Sequence, residues 1–386
     1  MRYLTTLAIF CFLLSCKNNT QEKTEVSTQP ATTVNKALSL TGGVRETVLD
    51  PITQDTLIYP EEVHLKNIRQ VTFGGDNAEA YFSFAGDKLV FQAKNPAWNA
   101  PCDQIYVTGI QETWKDAIPT LVSTGKGRTT CSYFMPGDST IIYASTHEGD
   151  VNCPPEPPHT GKYVWPIYSD FEIYVADLEG NIVQKMTDRE GYDAEATVSP
   201  TGDKIVFTST RTGDLELFTM DIDGSNVKQV TSELGYDGGA FFSPDGTKLI
   251  FRSSRPKTDE EVKEYEELLA QNLVQPTNME LYVCNVDGSD LTKITDLGQA
   301  NWAPFFHPSG EKIIFCSNHH SDKAGRPKFN LFMVNLDGTG LERITYDDVF
   351  DSFPMFSPDG TKLVFSSNRF NGGGRATNMF IADWVE

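Results

Sequence analysis

The chain has 386 residues, with 32 Lys+Arg against 53 Asp+Glu and a formal net charge of −21. That excess of acid excludes the Lys/Arg footprint a nucleic-acid groove requires, and a hydrophobic content of 39% excludes wholesale disorder. Length alone suggests two to three domains at roughly 150 residues each, whereas 30 Gly and 21 Pro with 24 Phe and 14 Tyr suggest many short strands and turns.

Residues 1–16 read MRYLTTLAIFCFLLSC, with Arg2 at the front and an unbroken apolar run from Leu7 to Leu14. The run is too short to cross a bilayer, which needs about 20 residues, and it fits the apolar region of a secretion signal over 1–15. Leu13-Leu14-Ser15-Cys16 resembles a bacterial lipobox. That resemblance implies cleavage before Cys16, a lipid on its thiol and an acylated new amine, so that several chains anchor the protein to a membrane. Residues 16–43 are polar and Thr-rich and read as a flexible lipidated tether; residues 44–66 read as an extension packing on the body that follows. Lys17 stands where related lipoproteins carry an inner-membrane retention Asp. The resemblance therefore favours the outer membrane or a periplasm-facing place in the cell envelope.

From residue 67 the sequence is periodic. Residues 242–251 (FSPDGTKLIF) and 356–365 (FSPDGTKLVF) are nearly identical, and 82–91, 134–143, 198–207 and 306–315 are variants. Each is a strand, a Pro/Asp/Gly turn and a second strand of apolar and β-branched residues. A third strand follows each, at 104–107, 172–175, 216–220, 280–283, 330–334 and 378–382. A fourth ends in an apolar-Thr pair such as Val230-Thr231 or Ile294-Thr295. Four antiparallel strands repeated six times predict an all-β fold, a six-bladed β-propeller over 67–386. The sixth copy has no fourth strand of its own, but Arg69-Gln70-Val71-Thr72 matches Lys228-Gln229-Val230-Thr231. The N-terminal strand is predicted to complete the last blade and close the ring, which removes exposed edges. Residues 258–272 read as a helical insertion in blade 4, with Thr258 and Glu261 as a capping box.

The SPDG-x-K-[LI]-x-F and [IV]-T signatures resemble the PD40 (WD40-like) repeats of the TolB family, whose carboxyl-terminal domain is a six-bladed propeller. TolB carries an α/β domain before its propeller, and residues 17–66 are too short for one. Related propellers also front S9-type prolyl peptidases, but the sequence contains no G-x-S-x-G elbow.

The long connections, at 95–103, 148–170, 256–278 and 319–329, all leave a propeller by one face, where binding is expected. Trp98 and Trp165 lie in two of them, and such aromatics can stack on sugar or peptide. Two columns of the repeat vary together. Asp193, Asp237 and Asp351 occur in the same blades as Arg211, Arg255 and Arg369, and paired change predicts three structural ion pairs. Blades 1, 2 and 5 carry Asn77 with Asn95, Thr129 with His147, and Asn301 with His319, positions free for binding. Glu79 and Glu195 are placed at the channel mouth. With His147, His319, His320 and Gln299 they are expected to form a polar cluster able to hold a cation or a sugar. No histidine has a metal-ligand spacing, and no metal or cofactor is assigned.

Beyond Cys11 and Cys16 the cysteines are Cys102, Cys131, Cys153, Cys284 and Cys316. Export permits disulfides, and an odd count leaves a thiol. A Cys102–Cys153 bridge is preferred, with Cys284 and Cys316 buried and free.

The function that follows is a non-catalytic, monomeric cell-envelope lipoprotein presenting its loop-rich face to a protein or glycan partner. The alternatives are a propeller enzyme with a His/carboxylate metal site, since oligogalacturonate lyases resemble this repeat type, and a recognition propeller for a separate hydrolase. Convergence of His147, His319 and Glu79 or Glu195 at the channel mouth would favour the enzyme.

Overall fold

The structure, a computed structural model, describes residues 59–115, 117–157, 161–322, 327–348, 350–371 and 374–386. The signal peptide, Cys16, the tether and residues 44–58 of the extension lie outside the described residues. Among the described residues no helix is long and apolar enough to cross a membrane.

Six four-stranded antiparallel sheets form the blades. Their first strands, Asp76–Phe82, Thr129–Phe134, Asp193–Val198, Asp237–Phe242, Asn301–Phe306 and Asp351–Phe356, touch their neighbours in a ring around the axis. The repeat explains itself residue by residue. In the turn of blade 4, Ser243 Oγ accepts the Lys248 N–H at 2.9 Å and donates to Asp245 at 2.6 Å. Gly246 supplies the left-handed residue, φ +72°, that the turn needs. The second-strand aromatics Phe91, Tyr143, Phe207, Phe251, Phe315 and Phe365 are wholly buried. Each meets a third-strand ring, as Phe207 meets Phe218 at 5.9 Å and Phe365 meets Phe380 at 5.8 Å. Burying each such side chain contributes roughly 1.5–3 kcal/mol.

The apolar-Thr signature is a blade seam. In blade 3, Val230 N–H donates to Leu217 O at 2.8 Å and Thr231 Oγ1 accepts the Leu217 N–H at 2.9 Å. Thr187, Thr295 and Thr345 do the same in blades 2, 4 and 5. In blade 6 the threonine is Thr72: it accepts the Met379 N–H at 3.0 Å while Val71 N–H donates to Met379 O at 2.8 Å. The strand Leu65–Gln70 pairs antiparallel with Asn378–Trp384 and closes the ring. It starts two residues before the sequence boundary at 67, because Leu65 still pairs with Trp384 and the His64 ring stacks on Trp384 at 4.9 Å.

A brace ties the ends of the first and second strands in each ion-paired blade. Arg211 reaches Asp193 at 3.0 Å, Arg255 reaches Asp237 at 2.7 Å and Arg369 reaches Asp351 at 3.1 Å. Arg369 is also bound by Glu62 at 3.1 Å, with both side chains fully buried. Glu62 lies just ahead of the closing strand, so this brace pins the entering chain to blade 6.

Candidate functional site

Every first strand breaks its pairing at the same place. The residue there has a left-handed backbone: Glu79 (φ 54°), Cys131 (44°), Glu195 (58°), Gly239 (60°), Ala303 (47°) and Phe353 (53°). Five of the six are not glycine, and each such residue costs roughly 1–2 kcal/mol. A bulge re-aims its side chain, and here all six residues line one cavity of about 380 Å³.

The roof comes from two insertions. Trp165-Pro166 of the blade 2 loop pairs with Leu273-Val274 of the blade 4 insertion, a two-stranded bridge beside the channel. The Trp165 ring lies 5.1 Å from that of Trp302, whose indole N–H donates to Pro276 O at 2.9 Å. Helix α1, Asp259–Leu269, starts at the capping box of Thr258 and Glu261 and buries Tyr265. Cys102 and Cys153 are bridged, tying the blade 2 loop to blade 1; Cys131, Cys284 and Cys316 are free thiols. The floor is aromatic. Phe241 packs on Tyr81 at 5.4 Å and Phe305 at 5.2 Å. It also lines a second cavity of about 310 Å³ on the opposite face, ringed by Pro200, Pro244, Pro308 and Pro358 of the SPDG-type turns.

The cavity wall carries an ionic network. Arg252 donates to Glu195 Oε1, and its guanidinium lies 5.3 Å from the centre of the Trp165 ring and 5.1 Å from that of Tyr236. Tyr236 donates to Glu195 Oε1 at 2.7 Å and accepts from Arg252 at 2.6 Å. Thr208 Oγ1 and the Gly239 N–H each donate to Glu195 Oε2 at 2.8 Å. Burial alone would raise the Glu195 carboxyl, but Arg252 and these donors outweigh it and hold it below its ordinary value. Glu79 differs. Burial pushes its carboxyl up to about 7, only partly opposed by the Cys131 thiol, and its Oε2 is buried without a hydrogen-bond partner.

Of the sequence candidates, Glu79, Thr129, Trp165 and Glu195 line this cavity. Thr129 spends its hydroxyl on Asp103 O at 3.0 Å. The expected cluster of His147, Gln299, His319 and His320 around the two glutamates is not assembled. His147 Nδ1 is 2.9 Å from Ser145 Oγ with its ring on Tyr174 at 4.5 Å. His319 Nδ1 is 2.8 Å from Ser317 Oγ with its ring on Phe332 at 4.5 Å. The reason is that histidine takes the arginine's place in the brace: Arg211 likewise bonds Ser209 at 2.9 Å and covers Phe218 at 4.8 Å. His320 packs on Phe332 at 5.3 Å, and burial with nearby Arg343 holds its pKa down to about 4. Gln299 donates to His319 O at 3.0 Å. Asn77 and Asn301 are buried braces as well, donating to Gly74 O at 2.7 Å and Met279 O at 2.8 Å. Asn95 caps the short turn Pro96–Trp98, and Trp98 packs on Tyr106 at 5.2 Å. In blades 1, 2 and 5 these positions thus serve as braces or caps, and of them Thr129 also lines the cavity. Among the described residues no three His, Cys, Asp or Glu side chains are grouped to hold a metal ion.

Sequence reading did not single out Arg252 or Tyr236. A signal was present. Arg252 stands alone in its column of the repeat, and Gly239 is the one glycine in the bulge column; a Cβ on Gly239 would lie 1.7 Å from Arg252 Nη1.

The fold and repeats define a six-bladed β-propeller of four-stranded antiparallel blades. Residues 166–266 match the family described as the TolB beta propeller domain, PD40. The putative TolB of Agrobacterium tumefaciens superposes with a TM-score of 0.51 at 19% identity, covering 81% of this chain and 91% of that one. TolB of Acinetobacter baumannii gives 0.48 at 19% identity, covering 81% of this chain but only 64% of its own length. An oligogalacturonate lyase in complex with manganese gives 0.47 at 14% identity, covering 89% and 96%. Comparison with curated proteins finds no match.

Proposed function

We propose that this chain is a non-catalytic recognition propeller of the bacterial cell envelope, lipid-anchored through Cys16, that receives a segment of a protein or glycan partner at its loop-rich face. The observation that carries the reading is the cavity itself: about 380 Å³, floored and roofed by aromatic rings, with Glu79, Cys131 and Glu195 converging on it from three of its six bulges. Pockets of this volume with a few placed polar groups are typical of ligand sites. The bulges favour binding because strained positions persist where the surroundings hold them and cluster at functional sites. Neighbouring histidines are occupied as braces, so they add no catalytic constellation here.

The test is tryptophan fluorescence during titration of the mature protein with envelope peptides and cell-wall or pectic oligosaccharides, alongside Trp165→Ala. Saturable binding lost in the variant, with the oligosaccharides recovered unchanged, is the expected result; cleaved oligosaccharide would overturn it. For the anchor, Cys16→Ser should move the protein from the membrane to the soluble fraction and abolish labelling by radioactive palmitate.

A further inference from the structure

Glu195 occupies the bulge of blade 3 and is met by Arg252, which stands in blade 4 on the rung opposite Gly238. Glu79 occupies the same bulge position in blade 1. The corresponding rung of the next blade, opposite Thr130, holds Ala144. Gly239 leaves room for the Arg252 side chain, whereas blade 2 has Cys131 there, a thiol that burial and then the nearby Glu79 and Glu195 keep protonated. The counterpart of Thr208, which donates to Glu195, is Gln92, and its Oε1 accepts from the Cys131 N–H at 3.0 Å and the Thr130 hydroxyl at 3.3 Å. Glu79 is therefore placed like Glu195 but without the cation, with Oε2 buried and unpartnered.

The two arginines lining the cavity are already committed. Arg252 is paired to Glu195, and Arg128 lies 2.5 Å from Glu156 and 3.5 Å from Asp103. A buried carboxylate without a counter-ion beside aromatic walls suits a cation, which gains from the charge and from ring faces together. The internal precedent is a guanidinium, in the form of Arg252 against Trp165 and Tyr236. The net charge of −21 also draws basic partners.

We propose that the cavity takes one basic side chain, an arginine or lysine of a peptide partner, whose cationic head group sits on Glu79 as Arg252 sits on Glu195. This rests on the recognition reading above and names the chemistry that the partner must present. A cavity of about 380 Å³ is at the small end of ligand pockets, closer to one side chain than to a run of sugar rings.

The experiment is calorimetric titration of the mature protein with Nα-acetyl-arginine amide, Nα-acetyl-lysine amide, the neutral Nα-acetyl-citrulline amide and a glucosamine tetramer. The arginine or lysine amide should bind and citrulline should not. Glu79→Gln should weaken binding by more than about tenfold, as loss of a charged hydrogen-bond partner does. A second variant, Cys131→Gly with Ala144→Arg, copies blade 4 into blade 2; it should block the amides while keeping Glu79. Thermal melts establish that both variants are folded. The inference is overturned if neither basic amide binds, if citrulline binds equally, if only the glucosamine tetramer binds, or if either folded variant binds like the parent. A neutral ligand whose uptake needs Trp165 would leave the recognition reading standing while this one falls. If no ligand binds at all, both are removed.

Discussion

Thr72 Oγ1 accepts the backbone N–H of Met379 at 3.0 Å, although 307 positions separate the two residues. The same bond in blade 3 joins Thr231 to Leu217, 14 positions apart. A local seam of one blade has become the closure of the whole ring. Thr72→Val keeps the shape and removes the acceptor, leaving a buried N–H unpaired. Urea unfolding should show a loss of about 1–3 kcal/mol, with Thr72→Ser nearly neutral. Equal stability of the valine variant and the parent would show that closure does not depend on this bond.

Arg369 is the most deeply held of the three braces, buried between Glu62 and Asp351. Arg369→Met leaves two buried carboxylates uncompensated and should cost about 3–5 kcal/mol at neutral pH. Burial already raises the Glu62 carboxyl, and Arg369 is what opposes it. Without the arginine Glu62 holds its proton still more tightly in the folded state than in the unfolded chain, so the variant should recover stability as pH falls toward 5. Arg211→Met, which leaves only Asp193 unpaired, should cost less. The two variants compared by denaturant midpoints across pH decide it.

Glu79 gives a pH signature of its own. The groups acting on it are the Cys131 thiol, Glu195, Arg252 and Asp103. Its folded carboxyl keeps a proton up to about pH 7, against an ordinary value of 4.5. Between those values the folded state binds more protons than the unfolded one, so this group's contribution falls as pH rises and is fully unfavourable above 7. Glu79→Gln removes it. The variant should exceed the parent in stability by on the order of 1–3 kcal/mol at pH 8, with the gap closing near pH 4.5. A gap that does not change with pH would place the ionised carboxylate in a site that already satisfies it.

The bridge between Cys102 and Cys153 spans 51 positions and ties the blade 2 loop to blade 1. A loop of that length predicts a loss of about 2–4 kcal/mol when both are changed to serine. The same change should release the roof residue Trp165, seen as a shifted tryptophan emission. If stability falls but emission is unchanged, the roof is held by its pairing with Val274 alone.

The repeats made the propeller legible before any coordinates. Ser243, Asp245 and Gly246 specify a turn through hydrogen bonds within five residues, and Phe251 recurs because each blade needs the same buried ring. The braces Asp193–Arg211, Asp237–Arg255 and Asp351–Arg369 could be inferred because the repeat supplies internal comparisons. Glu79 and Glu195 were legible as channel residues from the same column. His147 and His319 misled because their column was read for chemistry alone; a serine two residues earlier and an aromatic ring on the neighbouring strand make each a substitute for arginine.

What the sequence by itself determined is the unit: strand, turn, seam and ring, all set by contacts within one blade, where spacing along the chain fixes spacing in space. What only the tertiary structure decided is the cavity. Its walls come from bulges in six different blades and its roof from two insertions that pair 109 positions apart, Trp165 with Val274. No local spacing encodes such meetings. They exist because closing the ring brings all six first strands to one axis, which turned a column of unlike residues into facing neighbours and left Glu79 opposite a blade whose matching rung holds Ala144 in place of an arginine.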